Sequence, residues 1–436
     1  MNKSKKSGIS GIISVRLAIA LALVFLLAFF LIKVISFYWT MVFINIIFFF
    51  TGSVFVLLYF ESKEEKNIPV SEWPSVSVLI PVYNAEKTIE NCINAVKQMS
   101  YPQKFEIIAV NDGSTDNSLK LLKSIKGIKI LDLKKNQGKA AALNIALKKA
   151  KGEIVACIDS DTFPAENCLM EMVPAIMHSD TAAVTGLVKV SNPDNFIANL
   201  QELEYIVAFG FYQTMLATIN AVIVTPGPMS IYKRKILLDI GGYDEHNITE
   251  DMEIAFRLQK HGYKIRARPK AHIYTEVPLS MKGWVKQRTR WYRGKVVNVK
   301  KYSELIFNPK YNHLGMFSLP FSFAIELAAV FMVFLFIVMN LENASSFLLE
   351  MLSWVSISET PVIPLSLMLH SSIYFAVLTV LFFVLTLYFG FKITGEKFSL
   401  VKIPQFLFFI LIYGLFISFV WIISLFKEIN ESEYSW

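Results

Sequence analysis

Ile154-Val155-Ala156-Cys157-Ile158-Asp159-Ser160-Asp161 is an apolar run that goes straight into a pair of carboxylates. Bounded by Gly152 before and an acidic turn after, the run reads as a short, fully buried strand. Its carboxylates then emerge at the C-terminal strand end, the edge where open α/β sheets bind ligands. Upstream the same rhythm repeats. Val76-Ser77-Val78-Leu79-Ile80-Pro81 is an apolar strand, Glu86 to Met99 an amphipathic helix, and Phe105 to Val110 a strand running into Asn111-Asp112-Gly113-Ser114. Ser118 to Ser124 reads as helix, Ile128 to Leu131 as strand and Gly138 to Lys151 as helix. This alternation predicts a Rossmann-like α/β domain on a mostly parallel sheet.

Outside that domain the chain turns apolar. It has 436 residues, 54% of them hydrophobic, and a mean hydropathy of +0.46. Ile12 to Phe60 is too long for one membrane span and fits two of about 20–25 residues each, broken near Lys33 to Trp39. It far exceeds the apolar core of a signal peptide and lacks a cleavage site. Three further spans are expected at Leu314 to Met339, Ser372 to Phe391 and Ile403 to Phe426. The expected domains are a membrane hairpin at 1–66, a cytosolic domain at 67–311 with a basic interfacial segment at 280–301, and a C-terminal membrane region at 312–436. Loop charge sets the orientation. Lys3, Lys5 and Lys6 place the N-terminus inside, the Lys-free loop from Asn340 to Ser371 lies outside, and Lys392, Lys397 and Lys402 lie inside. The expectation is a multi-pass protein of the cell membrane with a cytoplasmic catalytic domain and an outside C-terminus.

The net charge of +8 is concentrated at the N-terminus and between Lys282 and Lys301. Such clusters suit membrane lipids with anionic headgroups or a phosphate-bearing substrate. No nucleic-acid motif accompanies them, so nucleic acid is not an expected partner. Cys92, Cys157 and Cys168 show neither metal-ligand spacing nor a disulfide framework, which agrees with a reducing compartment.

The chemistry-bearing residues fall at element ends. Asp159 and Asp161 can share a divalent cation, since Mg²⁺ and Mn²⁺ are usually held by one or two carboxylates plus substrate phosphates. Read locally, the same pair is an acidic turn. Asp112, beside Pro81-Val82-Tyr83-Asn84, can accept a hydrogen bond from a uracil ring; Asn111 to Asp116 is equally a turn and helix cap. Lys139, after Asn136-Gln137-Gly138, opens a helix where a cation and free N–H groups suit a nucleotide. Thr249-Glu250-Asp251 begins the amphipathic run Met252 to Lys260, with Thr249 as N-cap. Its acids either favour the helix dipole or include a general base, Asp251, for an acceptor hydroxyl. Gln287-Arg288-Thr289-Arg290-Trp291 belongs to a basic interfacial helix. The interleaved Trp284, Trp291 and Tyr292 go beyond that reading: Arg290 can fork onto phosphate and Trp291 can stack on a sugar. Glu326 lies within an apolar span, the position of a polymer path or of a structural hydrogen bond.

Together PVYN, NDGSTD, NQGK, DSD, TED and QRTRW resemble the inverting family 2 glycosyltransferases, over roughly Val76 to Gly294. The flanking helices and the run EVPLSMKGWVKQRTRWYRG look most like the membrane-embedded processive poly-β-1,6-N-acetylglucosamine synthases. Chitin, hyaluronan and cellulose synthases share the core motifs. The resemblance implies a glycosyltransferase A-type domain flanked by two membrane helices before and three after. It implies a UDP-sugar donor, most readily UDP-N-acetylglucosamine, and Mg²⁺ or Mn²⁺ at Asp159 and Asp161. Asp251, with Glu250 beside it, becomes the catalytic acid pair. Pro81, Tyr83, Asn84, Asp112, Lys139, Asp159, Gln287, Arg290 and Trp291 hold the nucleotide sugar. Gly227, in Thr225-Pro226-Gly227-Pro228, and Trp291 meet the acceptor, a growing polysaccharide or a lipid-linked sugar. Accessory membrane subunits leave no signature in this chain. Two other readings stay open: transfer of a single sugar to polyprenyl phosphate, and a non-catalytic scaffold or transporter.

Overall fold

A computed structural model describes residues 36–62, 68–331 and 371–430. The first apolar span, the N-terminal lysines, most of the Asn340–Ser371 loop and the tail from Glu431 lie outside the described residues.

The central sheet has eight strands: β1 (Val76–Val82), β2 (Glu106–Asp112), β3 (Lys129–Leu133), β4 (Ile154–Ile158), β5 (Thr162–Pro164), β6 (Thr181–Val190), β7 (Met229–Lys233) and β8 (Lys264–Thr275). They lie in the order β3-β2-β1-β4-β7-β6-β8-β5. β1 to β4 are parallel, with Val78 beside Ile107 and Val76 beside Ile154. The order runs outward from β1 to β3, then returns to place β4 on the other side of β1. That reversal is a topological switch point, where the strand ends splay and leave a crevice. The ends of β1 and β4, carrying Tyr83-Asn84 and Asp159-Ser160-Asp161, flank it.

β1, β2 and β4 are buried along nearly their whole length because both sheet faces are covered there. Along β4, Ile154, Ala156 and Ile158 join the core under the helices Ile89–Gln98 and Cys168–Ile176. Val155 and Cys157 point to the other core, under Lys139–Lys149 and Glu250–Lys260. Alternation of side chains along a strand accounts for this division. Each fully buried Val, Leu or Ile contributes roughly 1.5–3 kcal/mol through lost contact with water.

The sheet is mixed but, as expected, mostly parallel, since β6 also runs parallel to β8. β7 runs antiparallel to β4 and β6, and β5 antiparallel to β8. Pairing direction is set by where the connection delivers the chain. Between β6 and β7 the chain passes through the helices Phe196–Tyr205, Ile206–Tyr212 and Gln213–Thr218 and re-enters the sheet at the edge where β6 ended. β7 therefore starts where β4 finishes, with Met229 beside Ile158.

The compact unit that holds the sheet comprises residues 55–320 and 386–406. Part of the C-terminal region thus belongs with the globular domain, fastened by Lys189 to Glu396 at 2.9 Å and by Lys402 to Glu202. A second compact unit comprises residues 1–54, 321–385 and 407–436. Among the described residues, two helices are long and apolar enough to cross a membrane, Leu314–Phe331 and Ile403–Ile429. Only 28% of each apolar window is buried within the protein. The segments Ile46–Glu61 and Val380–Thr394 are apolar but shorter. Glu326 lies on the first of the two long helices, in the second half of its length.

Candidate active site

Four chain segments meet at the switch point. Asp159 leaves the end of β4, and its N–H donates to the Pro228 carbonyl at 3.3 Å. Gly227 comes from the segment just before β7, which the antiparallel pairing brings alongside. A Cβ on Gly227 would stand 2.7 Å from Lys139 Nζ and 2.9 Å from Asp159 Oδ2. A side chain there would push these two apart, so glycine permits their contact.

Lys139 opens its helix after Gly138, whose φ of 94° suits glycine. Its Nζ lies 2.6 Å from Asp159 Oδ1 and 2.8 Å from Glu250 Oε1. Burial works against the Lys139 charge, but Asp159, Glu250 and Asp251 outweigh it and hold the ammonium well above its usual range. Burial would likewise raise the Glu250 carboxyl. Lys139 and Arg290 more than offset this, and Glu250 titrates below its ordinary value.

Asp251 behaves in the opposite way. Burial, reinforced by the neighbouring Glu250 charge, lifts its carboxyl to about 6. Its Oδ1 accepts the Met252 N–H at 2.9 Å. Its backbone carbonyl accepts from the Thr225 N–H at 3.1 Å and the Thr225 hydroxyl at 2.8 Å. Two adjacent acids, one lowered and one raised, can divide ionic and proton-accepting roles. A cleft of roughly 240 Å³, including its mouth, is lined by Lys139, Asp159, Gly227, Glu250 and Asp251. Sites that enclose a drug-sized ligand usually measure about 300–1,000 Å³, so this cleft is smaller than such a site.

Asp161 stands beyond Asp159 on the same turn. Burial and the Asp159 charge raise its carboxyl to about 6. Among the described residues no group of three or more His, Cys, Asp or Glu converges as a metal cage. A pair of adjacent carboxylates without further protein ligands fits Mg²⁺ or Mn²⁺ completed by phosphate oxygens and water.

Asp112, expected to meet a uracil ring, closes β2. It is buried, and its Oδ1 and Oδ2 accept the Gln137 and Gly138 N–H groups at 2.7 and 2.9 Å. It thereby fixes the loop that launches the Lys139 helix. Asn84, at φ 49°, accepts the Thr115 N–H at 2.8 Å and ties the β1 end to the β2 end. Tyr83 beside it is exposed, while Pro81 is buried within β1.

The QRTRW run lies in the helix Met281–Lys301. Arg290 lowers Glu250 electrostatically, and its Nη1 reaches the Ile248 carbonyl at 3.5 Å. Gln287 accepts from Arg288, and one ring of Trp291 carries the Arg288 guanidinium at 4.0 Å. Arg288 and its partner Glu204 were not expected from sequence. Thr249 also departs from expectation, making no side-chain cap. Its hydroxyl instead accepts from Asn298 Nδ2 at 3.0 Å. A Cβ on Gly294 would stand 2.2 Å from that hydroxyl, so glycine lets the two segments touch. Behind the cleft, the Tyr243 hydroxyl meets Cys157 Sγ at 3.0 Å, a contact with no sequence signal.

Residues 77–241 match the model of glycosyl transferase family 2. The chain is 32% identical over 263 residues to the poly-β-1,6-N-acetyl-D-glucosamine synthase of Staphylococcus aureus (strain COL), over 59% of this chain and 62% of that protein. The Staphylococcus epidermidis synthase is 30% identical over 256 residues, covering 57% of this chain and 62% of its own. The match thus spans less than two thirds of these relatives. Among solved structures, a mannosyltransferase from Pyrobaculum calidifontis in complex with GDP-Man and Mn²⁺ superposes with a TM-score of 0.55. That likeness covers 90% of this chain and 96% of that one at 19% identity, and it is one of fold. The sheet domain here accordingly shares the fold of that structure, with a mixed sheet.

Proposed function

We propose that this protein transfers N-acetylglucosamine, with inversion, from a UDP-sugar to the end of a growing β-linked polysaccharide at the membrane and passes the product across it. The observation that carries this reading is the Lys139-centred cluster. It puts a carboxyl raised to about 6, Asp251, in one cleft with Asp159 at the diphosphate edge. The sugar and polymer are supported by the synthases that the chain resembles at 32% identity.

In this mechanism the Asp251 carboxylate takes the proton of the acceptor hydroxyl. The hydroxyl oxygen forms its bond to the anomeric carbon from the face opposite the diphosphate. The carbon–oxygen bond to the diphosphate breaks, and its electron pair leaves with UDP. Glu250 stays ionised and holds Lys139, whose ammonium keeps a fixed positive charge near the leaving group. Asp159 and Asp161 would hold a divalent cation, which when bound neutralises charge on the departing diphosphate.

Incubating the purified protein with UDP-N-acetylglucosamine and sizing the product tests the proposal. A ladder of long oligomers is expected. One sugar on a polyprenyl phosphate would replace polymer synthesis with lipid glycosylation, and no transfer from any nucleotide sugar would leave the scaffold reading. Chelator should abolish the reaction, and Mg²⁺ or Mn²⁺ should restore it. Full activity of Asp161→Ala in EDTA would overturn the metal assignment.

The pH profile follows from Asp251. A base works only when ionised, so transfer should fall as pH drops through about 6. Measured with divalent cation in excess, so that Asp161 stays ionised, the acid limb reports Asp251. A rate that is flat through this range would remove Asp251 from the role of base.

A further inference from the structure

Arg288 has no exposed surface. A guanidinium buried that deeply is costly unless its donors are matched, and its partners are informative. Nε donates to Glu204 Oε1 at 3.0 Å, and Nη2 donates to Glu204 Oε2, forming a fork. Nη1 donates to Gln287 Oε1 at 2.5 Å. The flat face of the group lies 4.0 Å from the centre of a Trp291 ring. Residues three apart share a helix face, so Arg288 and Trp291 meet without distortion. One guanidinium therefore holds two side chains of the QRTRW run, and Glu204 holds that guanidinium from 84 residues earlier in the chain.

The platform abuts the edge that carries Asp161. Trp291 packs on the cluster of Val188, Val190, Ala198, Tyr205 and Val277. Glu276, the residue before Val277, donates its N–H to the Asp161 carbonyl at 3.2 Å. The Glu204 helix passes directly into the π-helical turn Ile206–Tyr212, a distortion frequent near functional sites.

We infer that Glu204 and Arg288 are positioning residues for the acceptor: Glu204 fixes the plane of the Arg288 guanidinium, and that plane sets the Trp291 indole on which the acceptor sugar stacks. Neither residue touches the sugar. The inference rests on the transferase reading and deepens it. Aromatic faces hold flat apolar surfaces, and a tilt of the ring would move the acceptor hydroxyl away from the anomeric carbon. Misplacement by about 1 Å can cost on the order of 100-fold. Lys cannot replace Arg288, because it lacks both the fork and the flat face.

A double-mutant cycle on the full chain tests this, using UDP-N-acetylglucosamine and a short β-linked N-acetylglucosamine oligomer. Glu204→Gln and Trp291→Leu should each lower kcat/KM for the oligomer by roughly 10- to 100-fold, with acceptor KM raised and UDP affinity retained. The double variant should lose no more than the worse single one, because both changes undo the same ring placement. Losses that multiply, or a fall in UDP affinity with Glu204→Gln, would overturn the assignment. Should Glu204→Gln fail to fold, Arg288→Lys takes its place in the cycle. Failure of both to fold would assign the pair to packing and also overturn the inference. A wild-type protein that transfers no sugar would sink the transferase reading itself, which is a different outcome from an active protein with multiplying losses.

Discussion

Asp251→Asn lowers sugar transfer by about 100-fold or more, the usual scale for a general base, while UDP binding is largely kept. The substitution preserves shape and the hydrogen bond from the Met252 N–H, and it removes only the capacity to take a proton. Asp251 is suited to that task because burial and the Glu250 charge hold its carboxyl at about 6. A base whose value lies close to the operating pH is ionised in most molecules yet still strong enough to accept a proton. The residual rate should lose the acid limb of the wild-type pH profile, since no titrating base remains. Transfer kinetics and UDP titration, run on the same preparation, separate the two effects. A collapse of UDP affinity with intact turnover at saturating donor would make Asp251 a nucleotide ligand, and the base would then have to lie elsewhere in the cleft.

The parallel half of the sheet was legible because its strands are buried on both faces. β4 is apolar without interruption and β1 is apolar except for Ser77, and the expected Ile154–Ile158 and the helix Ser118–Ser124 match the observed bounds. The antiparallel half was not legible. Met229-Ser230-Ile231-Tyr232-Lys233 would look the same whichever way it paired, and its direction comes from the long helical excursion before it. β8 hides itself differently. It carries Pro269 and alternating basic residues, which argue against a strand. The register jumps there, from Gly186 beside Arg268 to Leu187 beside His272, so the proline sits in an irregularity where no ladder bond is required.

Asp159, Lys139 and Asp251 fall at a strand end and at helix starts, and from those positions they line one cleft. The Glu204–Arg288 pair could not be read from the sequence, because its meaning lies in a contact between distant helices. In sequence, Glu204 is an ordinary acid on an amphipathic helix. Asp112 shows the limit from the other side. Its place at the end of β2 was foreseen, but its loop-tying hydrogen bonds to Gln137 and Gly138 depend on the fold of a segment 25 residues away.

Lys139→Met destabilises the protein by about 3 kcal/mol at neutral pH, the lower end for removing one partner of a buried pair. The lower end applies because the Lys139 side chain is itself 29% exposed, whereas Glu250 is 4% exposed. Methionine fills the space but leaves the Glu250 carboxylate buried without its nearest cation, with Arg290 as its remaining compensation. The pH dependence gives the sign. In the wild type, Glu250 is lowered, so its stabilisation is present at neutral pH and lost as pH falls through its folded value. Without Lys139, burial dominates and raises Glu250 above its unfolded value, so stability is instead lost as pH rises through that new value. The deficit of Lys139→Met should therefore be large at neutral pH and shrink on acidification, as Glu250 takes up a proton in both proteins. Thermal unfolding of the detergent-solubilised chain at neutral and acid pH measures this. Lys139→Met combined with Glu250→Gln should recover part of the lost stability, because Glu250, far more buried than Asp159, no longer carries a charge, and it should remain inactive. A double variant no more stable than Lys139→Met would show that Glu250 is not the group Lys139 compensates, and the central ion pair of the cleft would lose its assigned role.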